Sequence, residues 1–478
     1  MSELRSIFGS DLIVHDYLDA VHGRYATELS DIDIVPFDPS DLTSVEEATA
    51  LSMLDRNDSY SQTMDYGQRV EFLLLMLGYW SLVFERTQAT AVIFEEVPHQ
   101  AIDYALYLAA GHHGLLTVVP IRGLPDAGFL ANDKVGGKPR GILEQQKASA
   151  DGVRAGTGAE AFIAGMDADY DTHLNMILWD HKDSVREIVS KSSRIRQSLT
   201  LARTLRPRHG LKQYWTNLRH FKNDQKTARR TLQNSRMTYP EFLWHKSRTL
   251  IKKARLRRLY QRLTSQAPDL TQPFIYCCLQ YQPEASTSPM AGRYVDQWLM
   301  VAHLAAVLPD GWHIYVKEHP SQFSGEYSRY GERFRSEAFY KKLLSYENVS
   351  LVPLHIDSFT LIDASRAVAG PGGSVCFEAV ARGKAAINFG EGFFVGCPGI
   401  HQVKKAEEVA VAVNHIASEG APSKSEVIEH ARLLDRHTYP GAIGGPGQLD
   451  RMDISLEKNA RLHKQCWLET ASWERETN

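Results

Sequence analysis

From residue 272 onward, apolar and polar positions alternate in blocks that read as strand, loop, helix and strand again. The apolar run 274–279 has the length of a buried strand. After a turn-rich loop, 280–292, the residues Val295, Trp298, Leu299, Ala302 and Ala305 recur at the spacing of one helix face, and Pro309-Asp310-Gly311 supplies the stop. Residues 312–316, 349–352 and 367–369 read as further strands, and the polar stretch 321–346 as partly helical. Asp357 is the expected cap of a helix running through Ile362, and Gly370-Pro371-Gly372-Gly373 opens another over 374–381. The run 385–389 closes the series. Strands alternating with helices predict a mostly parallel, doubly wound sheet, because right-handed crossovers lay helices on both its faces. Ligands of such sheets sit beyond the carboxyl ends of the strands, so the loops 280–290, 317–320, 353–357 and 370–374 are expected to meet on one rim.

The first half repeats the pattern less cleanly. Strands are expected at 12–14, 91–94 and 115–119, with helices over 70–84 and 100–110. Glu95, Glu96 and His99, and then Arg122, follow strands on the side that faces a cleft. After residue 407 the pattern is helical, broken by a Gly/Pro-rich stretch at 439–447, and the tail is expected to pack back across the molecule. The reading is α/β, two Rossmann-like domains facing across a cleft. Residues 1–182 form the first domain, 183–265 a basic helical insert, 266–430 the second domain and 431–478 the tail.

Composition adds bounds. A chain of 478 residues exceeds the roughly 250–300 at which one core stops growing. With 43% hydrophobic and 23% charged residues, disorder and fibrous classes are excluded. No apolar run approaches the roughly 20 residues of a bilayer span, and the start lacks a secretory-signal layout, so a cytoplasmic protein is expected. Cys277, Cys278, Cys376, Cys397 and Cys466 make no CxxC pair and read as reduced thiols.

Charge changes the picture more. Net charge is only −3, yet residues 183–262 hold 22 Lys/Arg against 4 Asp/Glu. Isolated Leu199, Leu205, Trp215, Leu218, Phe221, Leu256 and Leu259 run through the stretch at near-helical spacing. It suits a solvated helical face between domains or contact with an anionic membrane surface, where each cation gains about 1 kcal/mol. Nucleic acid is not the expected partner, since neither zinc-finger spacing nor an RNP-type aromatic motif is present.

Three clusters carry candidate chemistry. Gly370-Pro371-Gly372-Gly373-Ser374 leaves peptide N–H groups open before a helix, which suits a phosphate and equally suits a tight turn that needs glycine freedom. Glu378, one turn after Ser374, is placed to accept from ribose hydroxyls or simply to face solvent. Lys317-Glu318-His319-Pro320 puts a cation and an imidazole at a strand end, with Pro320 holding His319 extended. Gln282-Pro283-Glu284-Ala285-Ser286-Thr287-Ser288-Pro289 is a dense polar loop in which Glu284 is an acid/base candidate or a brace. Glu95, Glu96 and His99 would supply a carboxylate from the opposite side. His112-His113 reads as a helix-end pair, because no third ligand lies at metal spacing, and no metal is expected.

Gln282-Pro283-Glu284, His319-Pro320 and the Gly370–Glu378 turn and helix, in this order, resemble the GT-B glycosyltransferases of bacterial surface-polysaccharide assembly, especially the capsule-type Kdo transferase relatives. The motif match spans residues 274–390. The resemblance implies a nucleotide-sugar donor used as substrate rather than as cofactor, CMP-Kdo being the first guess, and a saccharide or lipid-linked acceptor. Gln282, Lys317, His319, Pro320, Gly372, Gly373, Ser374 and Glu378 would hold the donor. His319 would stabilise the leaving phosphate, Glu284 would bind or activate the reacting sugar, and Glu95 or Glu96 would act as base or nucleophile. His99 and Arg122 would face the acceptor, and the basic insert would hold the enzyme at the inner face of the plasma membrane. UDP-sugar 2-epimerases and CDP-glycerol-type polyol-phosphate transferases share the His-Pro turn and the glycine turn, but the Gln-Pro-Glu loop argues against both. A non-catalytic scaffold that binds membrane or nucleic acid through the insert is the alternative of another class.

Overall fold

The computed structural model describes residues 7, 36–57, 64–124, 127–137, 158–167, 170, 188–189, 239–264, 267–324, 333–443 and 446–477. The strand expected at 12–14 and residues 190–238 of the basic stretch lie outside the described residues.

The second half is built on six parallel strands: β4 (Phe274–Cys278), β5 (His313–Lys317), β6 (Val349–Leu351), β7 (Ala367–Gly370), β8 (Ala385–Asn388) and β9 (Ile400–Gln402). They lie side by side in the order β6-β5-β4-β7-β8-β9. The chain therefore starts in the middle, winds outward one way, returns, and winds outward the other way. Successive residues of β4 enter different cores: Phe274 and Tyr276 pack on one face, Ile275 and Cys277 on the other. A period of two with both phases buried is the mark of a sheet covered on both sides, which is why these strands read as apolar runs. The helices α6 (Trp298–Val307), α7 (Glu337–Leu343) and α10 (Ala406–Glu419) cover the Ile275 face; α8 (Ser358–Ala364), α9 (Val375–Ala381) and α11 (Lys424–His437) cover the other. Asp357 caps α8 by accepting the Thr360 N–H at 2.8 Å. One expectation is corrected: 385–389 does not close the sheet, since β9 pairs with β8 beyond it.

The first half contains α1 (Ser44–Asn57), α2 (Tyr66–Thr87), β1 (Ala91–Ile93), α3 (Ala101–His112), β2 (Leu116–Arg122) and β3 (Phe129–Asn132). Strands β1 and β2 are parallel, and β3 runs antiparallel to β2. Both halves are thus α/β, as expected. Helix α2 starts with a capping box between Asp65 and Gln68 and buries Leu73, Leu77, Trp80 and Phe84 against α3.

Each half receives a helix from the other end of the chain. Helix α4 (Gly158–Asp167) packs on α9 and α11 of the second half, with the Phe162 and Phe377 rings stacked at 5.1 Å. Conversely, after α11 the chain crosses to the first half. Tyr439 pairs antiparallel with Phe129, exchanging peptide hydrogen bonds of 3.0 and 2.8 Å, and the following α12 (Pro446–Arg451) and α13 (Leu456–Thr477) complete the tail, with α13 lying on β2 and β3. From the basic stretch, α5 (Tyr239–Leu263) inserts Leu256 and Tyr260 into the second core.

Candidate active site

In a sheet of this strand order the direction of winding reverses between β4 and β7, and the loops leaving those strands diverge to form a crevice. A cavity of about 490 Å³ occupies that position. From the second half it is lined by Gln280, Tyr281 and Glu284 to Ser286 after β4, by Lys317 to Pro320 after β5, by Gly373, Ser374 and Glu378 after β7, and by Glu391 to Phe394 after β8. From the first half come Glu96 and His99 after β1 and Arg122 at the end of β2, and the tail adds Gln448 and Arg451. Residues 353–357 contribute less than expected: only the adjoining Ser358, the first residue of α8, reaches the lining.

The sequence candidates thus converge, with three exceptions. Glu95 is exposed and does not line the cavity, whereas its neighbour Glu96 does. Gly372 does not reach the lining, and a Cβ there would sit 3.2 Å from the Ser286 carbonyl and 3.3 Å from that of Glu391. Gln282 is turned inward and buried: its side chain donates to the Val295 carbonyl at 2.9 Å and accepts from Arg335 at 2.7 Å and Gln297 at 3.0 Å. It braces the loop instead of facing a ligand.

Glu284 accepts the Ser286 N–H at 2.9 Å and the Ser286 hydroxyl on the same oxygen, Oε2, which fixes the carboxylate at the cavity wall. His319 caps the short turn that follows: its Nδ1 accepts the Ser321 N–H at 3.2 Å, so the ring proton sits on Nε2, the donating tautomer. Its ring lies 5.2 Å from that of Tyr281. Lys317 is buried, with Nζ 3.4 Å from Ser358 Oγ and 6.0 Å from the centre of the Tyr170 ring. Burial pushes its ammonium down to about 8, against partial support from Cys278 and Asp357. Glu378, also buried, accepts the Ser374 hydroxyl at 2.5 Å, one turn along the same helix face. Among the described residues, no three His, Cys, Asp or Glu side chains gather as a metal-binding group.

Two arginines that hold this geometry gave no signal in the sequence. Arg335 is fully buried and pairs with Glu318 through Nε–Oε2 at 2.5 Å; it also donates to the Gln280 carbonyl at 3.0 Å and to Gln282. Tyr340 donates to the same Glu318 carboxylate at 2.9 Å. One guanidinium therefore ties the loop after β4 to the His-Pro turn after β5. Arg56, at the end of α1, donates to the His99 carbonyl from Nη1 and to the Ser288 carbonyl from Nη2 at 3.0 Å. Burial lowers its guanidinium to about 10 in spite of the nearby Glu284, Asp103, Tyr281 and Glu96. It joins the two walls of the cavity.

No family model matches the chain, and no curated protein matches it. Among solved structures, it is similar to sucrose-phosphate synthase from Thermosynechococcus elongatus at 16% identity and a TM-score of 0.23, over 43% of this chain and 47% of that one. A trehalose-6-phosphate synthase studied with bisubstrate glycomimetics aligns at 12% identity and a TM-score of 0.24, over 44% and 49% of the two chains. The UDP-GlcNAc 2-epimerase from Methanocaldococcus jannaschii aligns at 9% identity and a TM-score of 0.26, over 82% and 96%. The chain thus spans about half the length of the first two, at 47% and 49%. Similarity at this level adds no weight to the fold or the site described above.

Chemically, the cavity sets carboxylates on two sides, Glu284 and Glu96, around donors and cations from His319, Lys317, Arg122 and Arg451. Carboxylates suit proton transfer or the stabilisation of positive charge, while fixed donors suit negative charge that grows on a leaving group.

Proposed function

We propose that the protein is a glycosyltransferase that moves a sugar from a nucleotide-activated donor to a saccharide or lipid-linked acceptor. One observation carries the reading. The switch-point crevice of the parallel sheet presents His319, Lys317, Ser374 and Glu378 to the same cavity that receives Glu96, His99 and Arg122 from the opposite half. The donor nucleotide occupies the second-half side, with Glu378 and Ser374 on the ribose. His319 Nε2–H donates to the phosphate and Lys317 neutralises it as the glycosidic bond breaks. Glu284 lies at the reacting sugar, and Glu96, rather than the exposed Glu95, takes the acceptor proton or attacks the anomeric carbon. His99 and Arg122 position the acceptor. CMP-Kdo is the first donor to test, on the strength of the Gln282-Pro283-Glu284 and His319-Pro320 resemblance.

The test is the thermal stability of the full chain against CMP, CDP, UDP and GDP, since ligand at about 100 times its Kd adds roughly 2.7 kcal/mol to the native state. CMP is expected to stabilise selectively, and His319→Ala to abolish the shift while keeping the fold. Selective response to UDP or GDP would discard CMP-Kdo and retain nucleotide-sugar transfer; a preference for CDP-glycerol would replace it with polyol-phosphate transfer. No shift with any nucleotide would sink the donor site and favour the scaffold reading.

A further inference from the structure

Helix α5 is the described part of the basic stretch, and its two faces differ sharply. At about 100° per residue, Lys253, Leu256, Arg257, Tyr260 and Thr264 fall within an arc of about 100°, and all five are buried. Trp244, Arg248, Ile251, Lys252, Arg255 and Arg258 fall within an arc of about 120° on the opposite side, and all six are exposed. Trp244 is 66% and Ile251 45% accessible, two of the few large apolar side chains that the described surface leaves out. Helix α5 has one carboxylate, Glu241, near its start.

We propose that this outer face of α5 lies on an anionic lipid bilayer. The cations and the apolar side chains share one line along the helix, which is what an interface needs: Trp and Ile enter the acyl boundary while Arg and Lys stay among the headgroup phosphates. Charge elsewhere sets the orientation. Outside residues 183–262 the chain holds 32 Lys/Arg and 53 Asp/Glu, so an acidic body is repelled by the surface that attracts α5. Nucleic acid fits less well, because it offers no apolar layer to receive Ile251. The proposal does not depend on which nucleotide the cavity takes, or on its taking one. It has a geometric corollary: on the inner face of α5 the Tyr260 hydroxyl accepts the Glu318 N–H at 3.0 Å, and Glu318 lines the cavity. The lipid-facing and cavity-facing sides are separated by about one helix diameter, about 10–12 Å.

Flotation of the full chain with vesicles decides the matter. Vesicles of phosphatidylcholine with about 30% phosphatidylglycerol are expected to carry the protein at low salt, and pure phosphatidylcholine vesicles are not. Arg248→Glu/Arg255→Glu/Arg258→Glu should lower partitioning by about a hundredfold, and Trp244→Ser/Ile251→Ser by about tenfold with the salt dependence unchanged. All these positions are solvent-exposed, and an unaltered thermal transition verifies that both variants fold. Equal binding to neutral vesicles, wild-type binding by the arginine variant, or tighter binding to a DNA or RNA duplex than to anionic vesicles at the same salt would each overturn the proposal.

Discussion

Lys317 gives the cavity a titrating group within the working range of an enzyme. Its ammonium, buried beside Ser358 and held near 8, lies well below the usual lysine range near 10.4. In the unliganded protein this costs stability: the unfolded chain holds its proton across the window from about 8 to about 10.4 while the native state releases it, so stability from this residue rises with pH through that window. Binding an anionic donor reverses the preference, because the bound phosphate favours the charged amine. Donor affinity is therefore expected to fall as pH rises above about 8, and the dependence should vanish in Lys317→Met. Calorimetric Kd values between pH 7 and 10 test this; a slope that persists in the variant would assign the titration elsewhere. Residues at strand ends, such as Lys317, His319, Glu284 and Ser374, were legible in the sequence because a short apolar run fixes where the rim begins. Gln282 was misread since an extended loop residue shows neither which way it points nor what it meets. Its partner Arg335 lies 53 residues further on, in a polar stretch without periodicity.

The glycine turn after β7 shows the same limits for a whole element. Its position between an apolar strand and a helix was readable, but the reason for each glycine was not. Gly373 has φ +73°, and a Cβ there would sit 2.6 Å from Gln280 Nε2. Gly383 has a similar φ of +75° with nothing within 4 Å of a Cβ. Gly373→Ala is thus expected to push Gln280 into the cavity and weaken nucleotide binding tenfold or more, whereas Gly383→Ala carries backbone strain alone and leaves affinity unchanged. Isothermal titration of both variants separates the effects, and equal losses would count against a role for the Gly373 contact. Strands β4 to β8 announced themselves as apolar runs because both faces are covered. Strand β9, three half-buried residues, offers no such run, and β3, antiparallel at the edge of the other sheet, has only three apolar residues before Asn132; neither was foreseen. Helix α1 was also missed; its apolar residues define no strong stripe, and its value lies in Arg56 at its end.

Among the described residues, polar links beside the cavity help to hold the two halves at a set spacing. Arg56 joins the His99 and Ser288 carbonyls, and Asp55 beside it binds Arg69 at 2.7 Å and Arg333 at 2.9 Å. Arg56→Met removes charged donors from two carbonyls, each such bond contributing about 1.5–3 kcal/mol. The expected result is a lower thermal transition and a turnover reduced at least tenfold, with the nucleotide-induced shift retained because the second-half wall is intact. Unchanged turnover would mean that catalysis does not need this link. The α/β class of both halves was readable from alternating elements, but the exchange of helices between them was not, since a helical pattern does not name the surface it will cover. That exchange also governs how the protein is made. A chain growing at roughly 5–20 residues per second produces Phe129 about 15–60 s before Tyr439, its antiparallel partner. Until Tyr439 and His463 leave the ribosome, the edge of the first sheet at Phe129 has neither its pairing strand nor its stacked rings. The first sheet is thus completed late, by residues made about 300 positions after its own strands.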